Sequence, residues 1–282
     1  MNVRIISAIL VLALASMACG FSIDLPKRPA ADPEVEESIT VPDPGSDVTR
    51  LSISFGAGKL AISPNPQGGN LVDGTAVYNV EDLKPQMQKN GGSIEIRQGD
   101  FKSLPLFEDM KNEWDLKLSD TPLELTVEAG AYEGNLELGS LALKALTVKD
   151  GASHVDLSFT EPNQIEMSVL RYETGASDIK LKGLANANFS TLTFSGGAGN
   201  VTLDFSGELQ RDAVATVESG LGNLSLMIPE GVDTIVTVES TAVNINHGSS
   251  WTQNGQTYTQ SGSGPGLTIV VKMAAGNLII TD

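Results

Sequence analysis

Apolar and polar positions along the chain repeat about every 22 residues. The reference point of each copy is a polar residue that follows a small-residue turn. Copies stand at Asn135, His154, Asp178, Asn200, Asn223 and Asn244, with steps of 19 to 24 residues, and outlying copies at Lys59 and Asn277. One and three residues after the reference the side chains are apolar, as in Val201 and Leu203, or Leu224 and Leu226. Six and eight residues before it they are apolar again, as in Phe194 and Leu192, or Val271 and Ile269. The residues between are mostly polar, and this period of two predicts strands. Each copy therefore predicts a pair of strands joined by a tight turn, where Gly, Ser and Asn accept torsions that other residues resist. The Asn135 copy carries extra residues before its reference, and its turn stays unaligned.

A unit of this kind cannot bury its apolar face alone. Stacked at about 4.8 Å, successive copies line their columns into one core. The predicted fold class is all-β, a β-solenoid-like stack of repeats with an N-terminal β cap or subdomain. A sandwich of short hairpins is the alternative. The best helical candidate, residues 81–89, is interrupted by Pro85. Four segments result. Residues 1–18 read as a signal peptide, 19–49 as a linker, 50–122 as an N-terminal β region, and 123–282 as the repeat stack with a hairpin insertion near 251–258.

The leader carries Arg4, then an apolar run over residues 5–18, then Cys19, the one cysteine of the chain. A charge, a short apolar run and small residues before a cleavage site describe export. Cys19 directly after Ser16-Met17-Ala18 matches a bacterial lipoprotein signal, in which that cysteine carries the lipid. Ser16 stands where such signals usually have Leu, so plain secretion with a free thiol is the alternative. The expected location is extracytoplasmic, lipid-anchored to the cell membrane or cell surface. Pro26, Pro29, Pro33, Pro42 and Pro44, among many acids, make residues 19–49 a self-repelling spacer.

Composition narrows the chemistry. With 18 Lys+Arg against 35 Asp+Glu the formal charge is -17, which lacks the footprint of a nucleic-acid binder. One Cys and two His argue against disulfide frameworks, Cys-based zinc sites and most His-dependent catalysis. No Gly-x-Ser-x-Gly elbow occurs, and the glycine-rich runs 196–199 and 262–266 open no helix, so they read as turns. No catalytic, cofactor-binding or metal-binding residue is expected. Two surface features remain. If the coils are in register, Glu218 and Glu239 lie side by side, either as a solvated acidic face or bridged by a Ca²⁺ ion that relieves their repulsion. In residues 251–258, Asn254-Gly255 suits a two-residue turn that sets Trp251 opposite Tyr258. That aromatic pair is a candidate ligand contact for a sugar or a partner, or simply holds its own hairpin together.

The run Asn112-Glu113-Trp114-Asp115-Leu116-Lys117-Leu118, then Pro122-Leu123-Glu124-Leu125, followed by Gly-Ala turns and Leu-x-Phe strands, resembles the toast-rack family of uncharacterised bacterial envelope proteins. It is also similar to putative-adhesin domains and to the C-terminal part of cell-wall-active-antibiotic response proteins. The likeness spans about residues 51–282. It implies an all-β repeat fold and, by analogy, an extracytoplasmic binding, scaffold or sensing role, with no catalytic residues to carry over. Two readings follow. The first is a non-enzymatic, membrane-tethered, adhesin-like binding or scaffold module whose partner is an envelope polymer or a protein. The alternative is a cation-dependent polysaccharide-active enzyme on a β-helical scaffold.

Overall fold

The computed structural model describes residues 32–66, 68–99 and 110–282. Strands β1 (Val35–Pro42), β2 (Thr49–Pro64) and β3 (Asn70–Tyr78) lead into a hairpin of β4 (Pro85–Asn90) and β5 (Ser93–Gln98), followed by β6 (Asn112–Leu118). Five long strands come next: β7 (Leu123–Glu137), β8 (Leu143–Ser158), β9 (Met167–Lys182), β10 (Phe189–Asp204) and β11 (Ala213–Met227). The chain ends with β12 (Asp233–His247), the short β13 (Thr252–Asn254) and β14 (Thr257–Gln260), and β15 (Gly266–Thr281). All belong to one 15-stranded sheet, ordered β1-β3-β6-β2-β7-β8-β9-β10-β11-β15-β12-β14-β13, with β5 and β4 attached beside β2. The all-β solenoid-like stack is thus the observed architecture.

Each repeat is a single strand with two legs, and each leg pairs with the same leg of its neighbours. Asp178, Asn200, Asn223 and Asn277 occupy successive rungs in parallel register. In β10 the buried residues are Phe189, Leu192 and Phe194 on the first leg, then Val201 and Leu203 on the second. Phe194 and Val201 are an odd number of residues apart, so a straight strand would send them to opposite faces. Both lie in one core, and the strand must therefore fold over a corner between them. Glycine makes that corner. A Cβ on Gly175, Gly197 or Gly220 would lie 2.4, 2.6 or 2.3 Å from the carbonyl oxygen of the glycine one rung before. Two residues further on, Gly199, Gly222 and Gly276 hold φ of 132°, 142° and 130°, a region that favours glycine.

The structure corrects four sequence expectations. In β7 the rung partner of Lys59 and of His154 is Glu133, not Asn135. The inward position after Glu133 is Gly134, and the Tyr132 ring fills its space, since a Cβ on Gly134 would lie 2.7 Å from that ring. The apolar column is filled from a neighbouring position, which hid the alignment. Residues 35–42 are no spacer. They form β1 on β3, with Ile39 and Val41 buried and Tyr78 Oη donating to Glu37 at 2.9 Å. Nor is there a break at residue 122. β2 pairs with β7 over both legs, and Leu51, Ile53, Leu60 and Ile62 share the core of Leu125 and Val127. The fourth correction is topological: β15 inserts between β11 and β12, so the last coils do not stack in chain order.

The remaining N-terminal strands close the start of the stack. β5 and β4 extend it beside the first leg of β2, and β6, β3 and β1 beside the second. Residues 81–89 form a short 3-10 turn, Glu81–Leu83, and then β4 from Pro85 onward.

Candidate binding surface

In-register stacking turns sequence positions into surface rows. On the first leg, one outward row reads Glu128, Lys149, Glu173, Ser195, Glu218, Lys272, Glu239. Opposite charges alternate within it: Lys149 Nζ lies 3.9 Å from Glu128, and Lys272 Nζ lies 3.1 Å from Glu218. The juxtaposition of Glu218 and Glu239 is therefore not formed. Insertion of β15 leaves them two strands apart, about 9.6 Å, with the Lys272 ammonium on the rung between them. On the second leg, side-chain amides form a ladder. Asn277 Nδ2 donates to Asn223 Oδ1, Asn223 to Asn200, and Asn200 to Asp178, each at 2.7 Å.

The second-leg face also carries a groove of about 640 Å³ where β6 and β3 continue the sheet past β2. Its polar lining includes Lys59, Glu113, Asp115, Glu133, His154, Asp156 and Lys182, drawn from β2, β6, β7, β8 and β9. Lys182 Nζ lies 2.6 Å from Asp156 Oδ1, and this hydrogen bond holds the Asp156 carboxyl below the usual carboxylate range. Lys59 Nζ lies 3.7 Å from Glu113. Trp114, 2% exposed, also lines the groove and packs edge-on against Phe55 at 5.2 Å. The repeat places Lys59 and His154 beside turns and the strand signal holds Glu113 and Asp115, but nothing in the sequence groups them into one groove. No local motif marks this set, because β6 pairs on the far side of β2 from β7 and brings distant segments together.

At the corner between the legs of β8 and β9, where Gly151 and Gly175 are kept, a polar network stands in place of the second glycine column. Tyr172 Oη donates to Asp150 Oδ2 at 2.7 Å, Thr174 Oγ1 bonds Asp150 and Ser177, and the Ser153 N–H donates to Ser177 Oγ at 2.9 Å. Ser153 and Ser177 occupy the column that Gly199 and Gly222 fill in later rungs. Burial pushes the phenols of Tyr172 and Tyr132 well above their ordinary range; the Tyr132 phenol and then the Asp150 charge add to it at Tyr172, and the Asp150 charge adds to it at Tyr132. This network fixes the corner. Asp150 also lines a more open groove of about 720 Å³ along the first leg.

Cys19 lies outside the described residues. Trp251 and Tyr258 are not a cross-strand pair: Tyr258 is opposite Gln253, and the hairpin loop is Gly255-Gln256, with Gly255 at φ 62°. They are 4% and 3% exposed and belong to the core, so they offer no stacking platform to a ligand. The reason is physical. The open end of a solenoid exposes its apolar columns, and the β13–β14 hairpin covers them by pairing with the first leg of β12. Tyr258 packs against the His247 ring at 5.4 Å and accepts a hydrogen bond from Gln253 Nε2 at 3.1 Å. Among the described residues, no three His, Cys, Asp or Glu side chains are grouped to hold a metal ion.

The fold and its surfaces can be set beside known proteins. A putative cell adhesion protein from Clostridium sporogenes superposes with a TM-score of 0.50 at 22% identity, over 88% of this chain and 99% of that one. A putative lipid binding protein from Parabacteroides distasonis gives a TM-score of 0.42 at 9% identity, over 91% and 100%. A putative adhesin from Bacteroides fragilis gives 0.38 at 10%, over 88% and 96%. No curated protein matches the chain in sequence. The N-terminal domain of toast_rack, DUF2154, matches residues 30–169 and 162–227. With that match over more than half its length, from β1 through the in-register coils to the end of β11, this chain belongs to the toast-rack family.

Proposed function

We propose that this chain is a non-enzymatic, adhesin-like binding or scaffold module of the bacterial cell envelope, lipid-anchored through Cys19 outside the cytoplasm. Its partner is an envelope polymer or protein, held along the groove on the second-leg face. The observation that carries this reading is the groove itself. It spans several rungs of one paired sheet, so its walls are set by backbone register, and it presents Lys59 and Lys182 among Glu113, Glu133 and Asp156. Mixed charge on a fixed surface suits a polar partner with both donors and acceptors. A formal charge of -17 disfavours a bare polyanion. The cell-adhesion designation of the Clostridium sporogenes protein supports the same reading.

The test is a screen of envelope glycans and polymers against the full chain, with and without Ca²⁺, followed by mass spectrometry of each ligand. Binding that survives chelation, leaves the ligand intact and weakens about tenfold, ~1.4 kcal/mol, in Glu133→Lys or Asp156→Lys is the expected result. Cleaved ligand, with turnover abolished by EDTA, would replace this reading with the polysaccharide-active enzyme. Lipid labelling of the wild type that disappears in Cys19→Ser tests the anchor separately.

A further inference from the structure

We infer that two copies of this chain join edge to edge through Val243–His247, the second leg of β12, as an antiparallel strand pair about a twofold axis. The hairpin that closes the stack covers only half of the last long strand. β14 pairs with Thr234–Thr237, and the last bond to it is Val238 N–H donating to the Gln256 carbonyl at 2.9 Å. Beyond Val238, no strand among the described residues pairs with the outer edge of β12. Alternate backbone N–H and C=O groups of Val243–His247 therefore face outward, the arrangement that accepts another strand.

The other margins of the sheet are protected and this one is not. β13 is three residues long, β1 ends in Pro42, and β4 begins at Pro85 and carries Lys89. Residues 240–247 contain no Lys, Arg, Asp, Glu or Pro. In a chain with a formal charge of -17, a segment without acids is where two copies approach with least repulsion. The segment is also apolar on its inner side. Val243 and Ile245 are only partly buried, whereas Leu224 and Leu278, the counterparts of Ile245 on the two preceding rungs, are almost completely buried.

The occupant follows from self-complementarity. Pairing the segment antiparallel to itself about Ile245 sets the two Ile245 side chains against each other on the inner side. Val243 then faces His247 of the second copy on that side, and Asn244 faces Asn246 on the outer side, each twice by symmetry. Each amide both donates and accepts, so the amide row that runs from Asp178 to Asn277 continues across the axis through Asn244. A twofold pair closes. Head-to-tail stacking on β1 would instead meet Glu36 and Glu37 and would leave an open-ended filament.

Sedimentation velocity of the full chain over a concentration series tests this directly. A reversible monomer–dimer equilibrium is expected, and the double variant Asn244→Lys/Asn246→Lys should be monomeric with an unchanged circular dichroism spectrum. Because both Asn side chains face solvent, this variant keeps the fold. In a Cys19→Ser background, Ile245→Cys should give a disulfide-linked dimer on mild oxidation, and Leu221→Cys, on an exposed corner two strands in from the edge, should not. A monomer at every concentration with no cross-link would overturn the inference. So would a dimer that persists in the double Lys variant, or an edge occupied by a different partner strand.

Discussion

Two parts of the stack obey one residue pattern and differ in spatial order. From β7 to β11 each strand lies beside the one that precedes it in the chain. After β11, the chain passes through β12 and the β13–β14 hairpin before β15 slots in between β11 and β12. The pattern of apolar columns is the same in both parts, because it states which residues face the core and not which strands are neighbours. Neighbour choice shows only in pair chemistry. The inserted order keeps Gly222 beside Gly276, both at positive φ, and leaves Val243 to the final rung. It also sets Lys272 between Glu218 and Glu239. Stacked in chain order, Val243 would interrupt the glycine column and two carboxylates would adjoin.

The glycine column offers the strongest way to break this comparison. Gly222 holds φ 142°, and a Cβ there would lie 1.9 Å from the Gly199 carbonyl oxygen. Backbone strain and steric overlap combine, so Gly222→Ala should cost about 4 kcal/mol or more in urea unfolding. Val243→Gly occupies the same column on the last rung, beyond which no strand of the chain follows among the described residues. It should cost about 1 kcal/mol, chiefly through strand propensity and backbone entropy. Equal losses at the two positions would mean that β12 is not the final rung.

The hairpin gives the next largest effect. Trp251→Ala should cost about 3 kcal/mol as a buried aromatic truncation. Hydrogen exchange should show the loss concentrated in β12 and β14, with β7 to β11 keeping their protection. These residues also mark how far the sequence was legible. Leu192, Phe194, Val201 and Leu203 announce their burial by period alone, and Gly197 announces the corner. The hairpin at residues 251–258 was equally visible, but its loop lies one residue further on, and a small register shift reverses which faces its side chains take. A cross-strand pair thus became two separate core residues. Glu133 was misaligned because Tyr132 fills the space left by Gly134. The groove was illegible for a different reason: Glu113 and His154 meet only through long-range pairing, which no local pattern carries.

The smallest effect separates the two strand orders most cleanly. In the observed order Lys272 has Glu218 on one side and Glu239 on the other, with 3.1 Å to the Glu218 carboxylate. In a stack that followed the chain, β15 would lie beyond β12, and Lys272 would adjoin Glu239 alone. Both partners are about half exposed, so each coupling is limited to roughly 0.3–0.5 kcal/mol by solvent screening. A double-mutant cycle of Lys272→Met with Glu218→Gln should still return a favourable coupling at low salt, fading as salt shortens the Debye length. Lys272→Glu should cost about 1 kcal/mol under the same conditions, because it sets three carboxylates on adjacent rungs. No coupling to Glu218 together with clear coupling to Glu239 would contradict the insertion of β15. Coupling to both would establish it from charge alone, since no other order of these three strands gives Lys272 two acidic neighbours.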